Sequence, residues 1–465
     1  MKLITFSRHI KSITCTLLLL QFSTSSYGYF TSQTAQTIQG SRPSLTQEME
    51  LNIENLELFG LSIDEHNYYG NELANMPVPI SYPFKDKIKP AKIKQPDDKQ
   101  FFDRDGDKLD YLGVDGDISM VWYYTDASNR EIEFKPKNND TFCSLVAEKK
   151  YAPFKVKLSA NLVLFSKYGD PDNNTYPNSV IKTQPSVTYT LIEDVGICYA
   201  KPELKPTAVL TSDKKHWDST NGFLTQSIVD PTKNFPTTGF YGAKFDLILS
   251  KNGLVNNYNW RVKQGSELVT IDYSNANVVT VLFKGPDAQD VKKAWEHVMG
   301  GSGKGYSVVI EGVNKKTNVA IHYAFTITKW YDAWQQNITN NNYISLTAPV
   351  AKVIEQCSKK PGHYQLTYAE EISNAVVGAK NDVKFTREIG RLISEWGDAS
   401  QKTYPGSFAP HAGGAYKYFY VWERTEQGGK KVCDIHIDTG VYHCRPVDTE
   451  AKNGVCVSVP AQTQE

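Results

Sequence analysis

The chain carries no excess charge: 51 Lys and Arg are matched by 51 Asp and Glu. Nucleic acids and anionic membranes are held by clustered, uncompensated cations, so neither is an expected partner. CxxC, HExxH and GxSxG are also absent. Without them the common zinc, metalloprotease and serine-hydrolase arrangements have no footing. No Ser/His/Asp or Cys/His set is recognisable among the nine histidines, His216-Trp217-Asp218 reads as packing, and a non-enzymatic protein is expected. Long apolar runs are missing too. Ile13 to Phe22 is about half the length that a bilayer-spanning helix needs. Lys2, Arg8 and Lys11 precede it and Ser26-Tyr27-Gly28 follows, so residues 1–28 read as a cleavable secretory signal peptide. Cys15 opens that run, whereas a lipobox cysteine would follow it. No later run spans a membrane, so the processed chain is expected to be soluble, at the cell surface or secreted, with the periplasm as the alternative.

Cysteine is scarce but even in number. Six remain after the signal peptide, which in an exported chain points to three disulfides. Spacing favours Cys143–Cys198, Cys357–Cys456 and Cys433–Cys444 among the fifteen formal pairings. The last pair is also suggested by a hairpin: Cys433, Ile435 and Ile437 share one strand face, the chain turns at Asp438-Thr439-Gly440, and Cys444 returns opposite Cys433. On this reading Asp434, His436 and Asp438 point outward and form no metal site.

A length of 465 residues suggests roughly three domains. Residues 29–100 read as a flexible leader. A short amphipathic helix is expected over Ser44 to Leu61. Beyond it, Pro77, Pro79, Pro83, Pro90 and Pro96, interspersed with lysines, argue for an extended linker. From residue 101 short β-branched and aromatic runs dominate, including Ile118–Tyr124, Phe154–Leu158 and Ser186–Leu191. They predict a first immunoglobulin-like β-sandwich over 101–205, internally stapled by Cys143 and Cys198. A Pro-flanked boundary at Lys201 to Pro206 opens a second sandwich over 206–338. Its strands are expected at Ala243–Ser250, Asn257–Val262, Leu268–Tyr273, Val278–Phe283, Gly305–Glu311 and Ala320–Ile327, with a helix inserted at Asp287–Val298. The glycine run after that helix resembles a phosphate loop but lacks the Ser or Thr after Lys304 and stands on the wrong side of the helix. Residues 339–465 mix helix and strand, with helices expected at Thr367–Asn374 and Lys384–Glu395. The expected fold class is therefore mainly β and multidomain, two sandwiches followed by an α+β unit.

One acidic turn is a candidate calcium site. Asp103, Asp105 and Asp107 surround Gly106, and calcium wants several hard oxygens gathered by a turn. It is not an EF-hand loop, because Val114 stands at the twelfth position. No other cofactor is expected.

The last quarter of the chain resembles the C-type lectin-like domain that ends adhesins of the intimin and invasin family of enterobacteria. The matching residues are Cys357, Glu395-Trp396-Gly397-Asp398, Tyr404-Pro405-Gly406-Ser407-Phe408, Tyr420-Val421-Trp422-Glu423, Asp438-Thr439-Gly440 and Val455-Cys456-Val457. The second sandwich resembles the immunoglobulin-like adhesion modules of that family at Trp217, Asn221-Gly222-Phe223, Asn234 to Phe240, Tyr258-Asn259-Trp260 and Val278 to Phe283. The resemblance implies a disulfide from the first helix region of the tip to its last strand, which supports Cys357–Cys456. It implies an adhesin-like binding protein whose tip recognises a host or cell-surface protein. Residues 29–100 cannot form the outer-membrane β-barrel with which such adhesins usually begin, so a separate barrel transporter is the alternative export partner. An assembly factor for such a transporter, or a carbohydrate-binding lectin, are the alternative functions. The sugar-coordinating signatures Glu-Pro-Asn, Gln-Pro-Asp and Trp-Asn-Asp are absent from the tail, which favours protein over sugar. Candidate contacts are Tyr404, Phe408, His411, Tyr416, Tyr418, Trp422 and Arg424, since aromatics and arginine dominate interface energetics. The competing reading places about half of them, Trp422 first, in the core of the tip.

Overall fold

A computed structural model describes residues 40–81, 83–205, 216–250, 254–285, 305–334, 347–377, 383–409, 418–425, 428–444 and 451–459. The candidate signal peptide, the expected 287–298 helix, the glycine run from Gly300, and the candidate contacts His411 and Tyr416 lie outside the described residues.

The expected leader is folded from residue 40 onward. Helix α1 (Gln47–Leu51) and a 3-10 turn (Ile53–Asn55) occupy part of the expected amphipathic helix. The chain then becomes strand β1 (Gly60–Ile63), hairpinned to β2 (His66–Tyr69) and paired on its other edge with β3 (Lys89–Pro90). Proline forbids helix here but not burial. Met76, Val78 and Ile80 alternate with prolines and are each 6% exposed or less, and Phe84 is fully buried. An extended chain can lay every second side chain into a core without donating hydrogen bonds. That core is completed by a five-stranded sheet in the order β8–β6–β4–β5, with β7 also paired to β6. Its members are β4 (Leu109–Thr125), β5 (Glu131–Phe134), β6 (Tyr151–Ser166), β7 (Asn173–Tyr176) and β8 (Ser186–Ile192). In β6, Phe154, Val156, Leu158, Ala160, Leu162 and Leu164 all face inward at 2% exposure or less, the alternation of a half-buried strand. The first unit thus spans 40–196 rather than 101–205, and its second layer comes from the segment that reads as a linker.

The boundary at 205/206 is also displaced. Strand β9 (Ile197–Lys201) pairs with β11 (Gly222–Leu224) and β13 (Lys244–Leu249), so it opens the second unit. The prolines after it end a strand, not a domain. A six-stranded sheet follows in the order β10–β11–β9–β13–β16–β15, where β10 is Trp217–Asp218, β15 is Val269–Asp272 and β16 is Val278–Phe283. It faces a three-stranded sheet of β14 (Tyr258–Gln264), β17 (Tyr306–Asn314) and β18 (Ala320–Ile327) across a core containing Phe245, Val281, Ile310 and Phe325. All six strands expected in this unit are present.

The boundary at 338/339 is crossed by a sheet. Strand β19 (Lys329–Ala333) pairs in parallel with β12 (Thr238–Gly239) and antiparallel with β24 (Asn453–Ser458) at the end of the chain. Strands β20 (Tyr364–Leu366) and β21 (Tyr418–Arg424) also pair with β24, and β22 (Lys430–His436) and β23 (Tyr442–His443) extend the sheet beyond β21. One apolar core consequently runs from Ile197 to Val457. Of the tip helices, α3 (Val350–Lys359) carries Cys357, and α4 (Ala369–Ile372) falls in the expected 367–374 helix. The expected Lys384–Glu395 helix shortens to α5 (Leu392–Trp396), because Gly390 at φ +112° is incompatible with helix.

The three cysteine pairs are Cys143–Cys198, Cys357–Cys456 and Cys433–Cys444. The first is not internal to a sandwich. Cys143 sits on helix α2 (Phe142–Ala147) of the first unit, whereas Cys198 is in β9 of the second.

Candidate functional site

Two of the candidate contacts are spent inside the molecule. Tyr404 is 1% and Phe408 3% exposed. Both rings pack edge-on against Phe240 of the second unit, and Tyr404 donates from its hydroxyl to the Trp396 carbonyl at 2.9 Å. They belong to the seam between sandwich and tip, so as surface contacts they are withdrawn. Trp396 is at its centre, with no exposure and ring contacts to Phe235, Phe240, Phe245 and Phe283.

Glu395 anchors the same seam. It is fully buried, and its carboxylate accepts from Thr237 N (2.9 Å), Thr237 Oγ1 (2.7 Å), Thr238 N (2.9 Å), Thr238 Oγ1 and Gly390 N (2.9 Å). Burial pushes its carboxyl up, against the pull of these donors. Arg387, 1% exposed, lies 4.6 Å from the Trp217 ring and donates to the carbonyls of Glu203, Lys205 and Glu395. Burial lowers its guanidinium to about 10. Gly397 at φ +73° lets the chain pass under Lys205, since a Cβ there would stand 2.1 Å from the Lys205 carbonyl oxygen.

The remaining described candidates do come together. Tyr418, Trp422 and Arg424 share one face of β21 with Tyr420, a buried residue that was not a candidate, because alternate strand residues do. Across the antiparallel register they face His436, Asp434, Val432 and Lys430 of β22. At the outer end the Lys430 ammonium lies 4.5 Å from the half-buried Trp422 ring. The exposed Arg424 guanidinium lies 4.1 Å from the Tyr368 ring and donates to Glu370 at 2.8 Å. Cations over aromatic faces are attracted by the ring quadrupole, so this end sets two partly exposed rings, Trp422 and Tyr368, against charged groups. At the inner end Lys452 pairs with Asp434 at 2.6 Å, and the His436 ring meets Tyr418 edge-on at 4.2 Å. Asp434 is 6% exposed, so the expectation that it points outward with His436 and Asp438 is corrected. Tyr368, Glu370 and Lys430 were not among the sequence candidates. The alternation along β21 and the hairpin register would have found Lys430. Tyr368 joins Trp422 through an isolated bridge between segments more than fifty residues apart, for which the sequence holds no local signal.

The acidic turn holds its carboxylates in local hydrogen bonds. Asp105 accepts from the Ser41 backbone N–H and from the Ser41 hydroxyl at 2.7 Å, contacts that in that order lower its carboxyl, and Asp103 accepts from Asp105 N at 2.8 Å. Among the described residues the one trio of metal-type donors within 4.8 Å is Glu423, Cys433 and Cys444, whose sulfurs are joined to each other.

A second charged cluster lies on the outer face of β14–β17–β18. Glu311, 3% exposed, accepts from Lys263 at 2.6 Å and Arg261 at 2.7 Å, and contacts His322 at 2.7 Å. Hydrogen bonding from Lys263, helped by His322 and Arg261, holds its carboxyl down at about 2 despite burial. A folded-state pKa below the unfolded one gives stability that is full above about pH 4.3 and lost as pH falls toward 2. Replacing Glu311 with Gln is expected to destabilise the protein at neutral pH, with the gap to wild type closing across that window. Urea midpoints measured from pH 7 to pH 2 test this, and a constant gap refutes it.

The fold is a mainly β, multi-sheet one, and the β21–β22 face is open to solvent at its Arg424–Lys430 end. Residues 219–325 match the family model described as Invasin, domain 4. That span holds most of the second unit and relates it to the invasin-type adhesins. No curated protein matches the chain. Among solved structures, "Crystal structure of invasin: a bacterial integrin-binding protein" aligns at 12% identity and a TM-score of 0.34, covering 75% of this chain and 54% of that one. The chain thus spans about half the length of that protein.

Proposed function

We propose that this is an exported adhesin-like binding protein whose β-sandwich units carry a C-type lectin-like tip against a cell-surface protein. The observation that carries the reading is the invasin domain 4 match over 219–325 in a unit that shares its sheet with the tip. A disulfide-closed tip fixed to such a unit holds its outer strands still, and a pre-organised surface loses less entropy on binding. The contact face is centred on Trp422, Arg424 and Lys430, with Tyr368 and Glu370 at its edge. Protein is favoured over sugar as partner because the tail lacks the sugar-coordinating signatures.

Point variants test this better than truncation. Deleting the tip would strip β24 from β19 and expose the core they share. Trp422→Ala combined with Lys430→Glu is expected to weaken binding to host cells by roughly 30-fold, the effect of losing about 2 kcal/mol at a hot spot. Unchanged binding by a folded double variant would sink the assignment of this face. Loss of binding on adding free sugars or a calcium chelator would favour the lectin reading, and confinement to the periplasm on fractionation the assembly-factor reading.

A further inference from the structure

We infer that Cys143–Cys198 is an inter-unit lock that converts a single-strand hinge into a rigid joint. The chain crosses between the units at Gly196, whose φ of +64° favours glycine and where a Cβ would press on the Ile321 side chain at 3.0 Å. A connection through one short segment outside the strands, here residues 193–196, pivots about its few crossing residues. The disulfide supplies a second covalent tether beside that crossing, from a helix of the first unit to β9 of the second. Both half-cystines are buried, at 6% and 1% exposure. Three further segments are held at the same point. Ser81 donates to the Cys198 carbonyl at 2.7 Å, and Thr225 donates to it from its backbone at 3.1 Å. Tyr258 reaches back from the second unit to Asp194 at 2.7 Å.

Among the described residues the apolar cores of the two units are separate, one running from Leu45 to Cys198 and the other from Ile197 to Val457. Two clefts flank the joint. One, of about 380 Å³, lies between Asp64, Pro77 and Pro83 on one side and Ser227 and Lys233 on the other. A second, of about 450 Å³, lies between Asp126, Val146 and Glu193 and Ser250 and Leu254. Space on both sides of a narrow contact is what a hinge needs, and the disulfide closes that freedom. The lock is independent of what the tip binds.

The test compares the full chain, without its candidate signal peptide, with a Cys143→Ala/Cys198→Ala variant. Non-cysteine spin labels are placed at the exposed positions Val180 and Lys316. One narrow distance distribution in the wild type and a broad one in the variant is the expected result, with hydrogen-exchange protection of β6 and β13 retained. A narrow distribution in both proteins overturns the inference. Collapse of β6 protection in the variant overturns it too, since the bond would then be a core staple of the first unit.

Discussion

Replacing Glu395 with alanine is expected to destabilise the protein by about 4 kcal/mol, although the residue touches no solvent. Five donors from two parts of the chain converge on its carboxylate, and an orphaned buried donor costs about 1–3 kcal/mol. Water entering the vacated space recovers part of the sum. The loss falls on the seam, so hydrogen exchange is expected to accelerate together in β12 and in α5, one on each side of it. Chemical denaturation provides the measurement, and a loss below about 1 kcal/mol would show that the donors re-pair without the carboxylate. Its acid behaviour is opposite in sign to that of Glu311. Burial raises the Glu395 carboxyl, so protonation favours the folded state. That contribution is full below the unfolded pKa and is lost as pH rises through the folded one.

The second large effect concerns Cys357–Cys456, which joins α3 to β24 with both residues fully buried and a sequence separation of 99. A loop of that length restricts the unfolded chain by about 4–5 kcal/mol on chain-entropy grounds. A Cys357→Ala/Cys456→Ala variant is expected to lose that much in urea unfolding. Removing Cys433–Cys444, separated by 11 residues, is expected to cost only about 3 kcal/mol. Equal losses would show that native packing around the sulfurs, not loop length, sets their worth. Alkylation followed by mass spectrometry supplies the control, since any stoichiometric free thiol in the intact chain contradicts the pairing.

Much of the fold was legible where the signal is local. The strands of the second unit stand where short alternating β-branched and aromatic runs put them, as in Val278–Phe283, because side-chain period and turn residues act over a few positions. The cysteine pairs were legible because loop spacing and hairpin register restrict them. Val78 and Ile80 were missed for the opposite reason. Their burial depends on a sheet beginning at Leu109, and proline-rich sequence looks the same whether or not a surface waits to receive it.

The candidate site divided along the same line. Tyr404, Phe408 and Trp422 are all aromatic residues of the tip, and composition cannot rank them. Phe240, more than 150 residues upstream, covers the first two, while Trp422 keeps a partly open face beneath Lys430.

By itself, then, the sequence determined the mainly β character and the cysteine pairing. Only the tertiary structure decided which aromatics remain available for contact, where one unit ends, and that the first disulfide ties two units together. Periodicity and turn chemistry are properties of neighbouring residues, whereas burial is set by whichever distant segment arrives to exclude water.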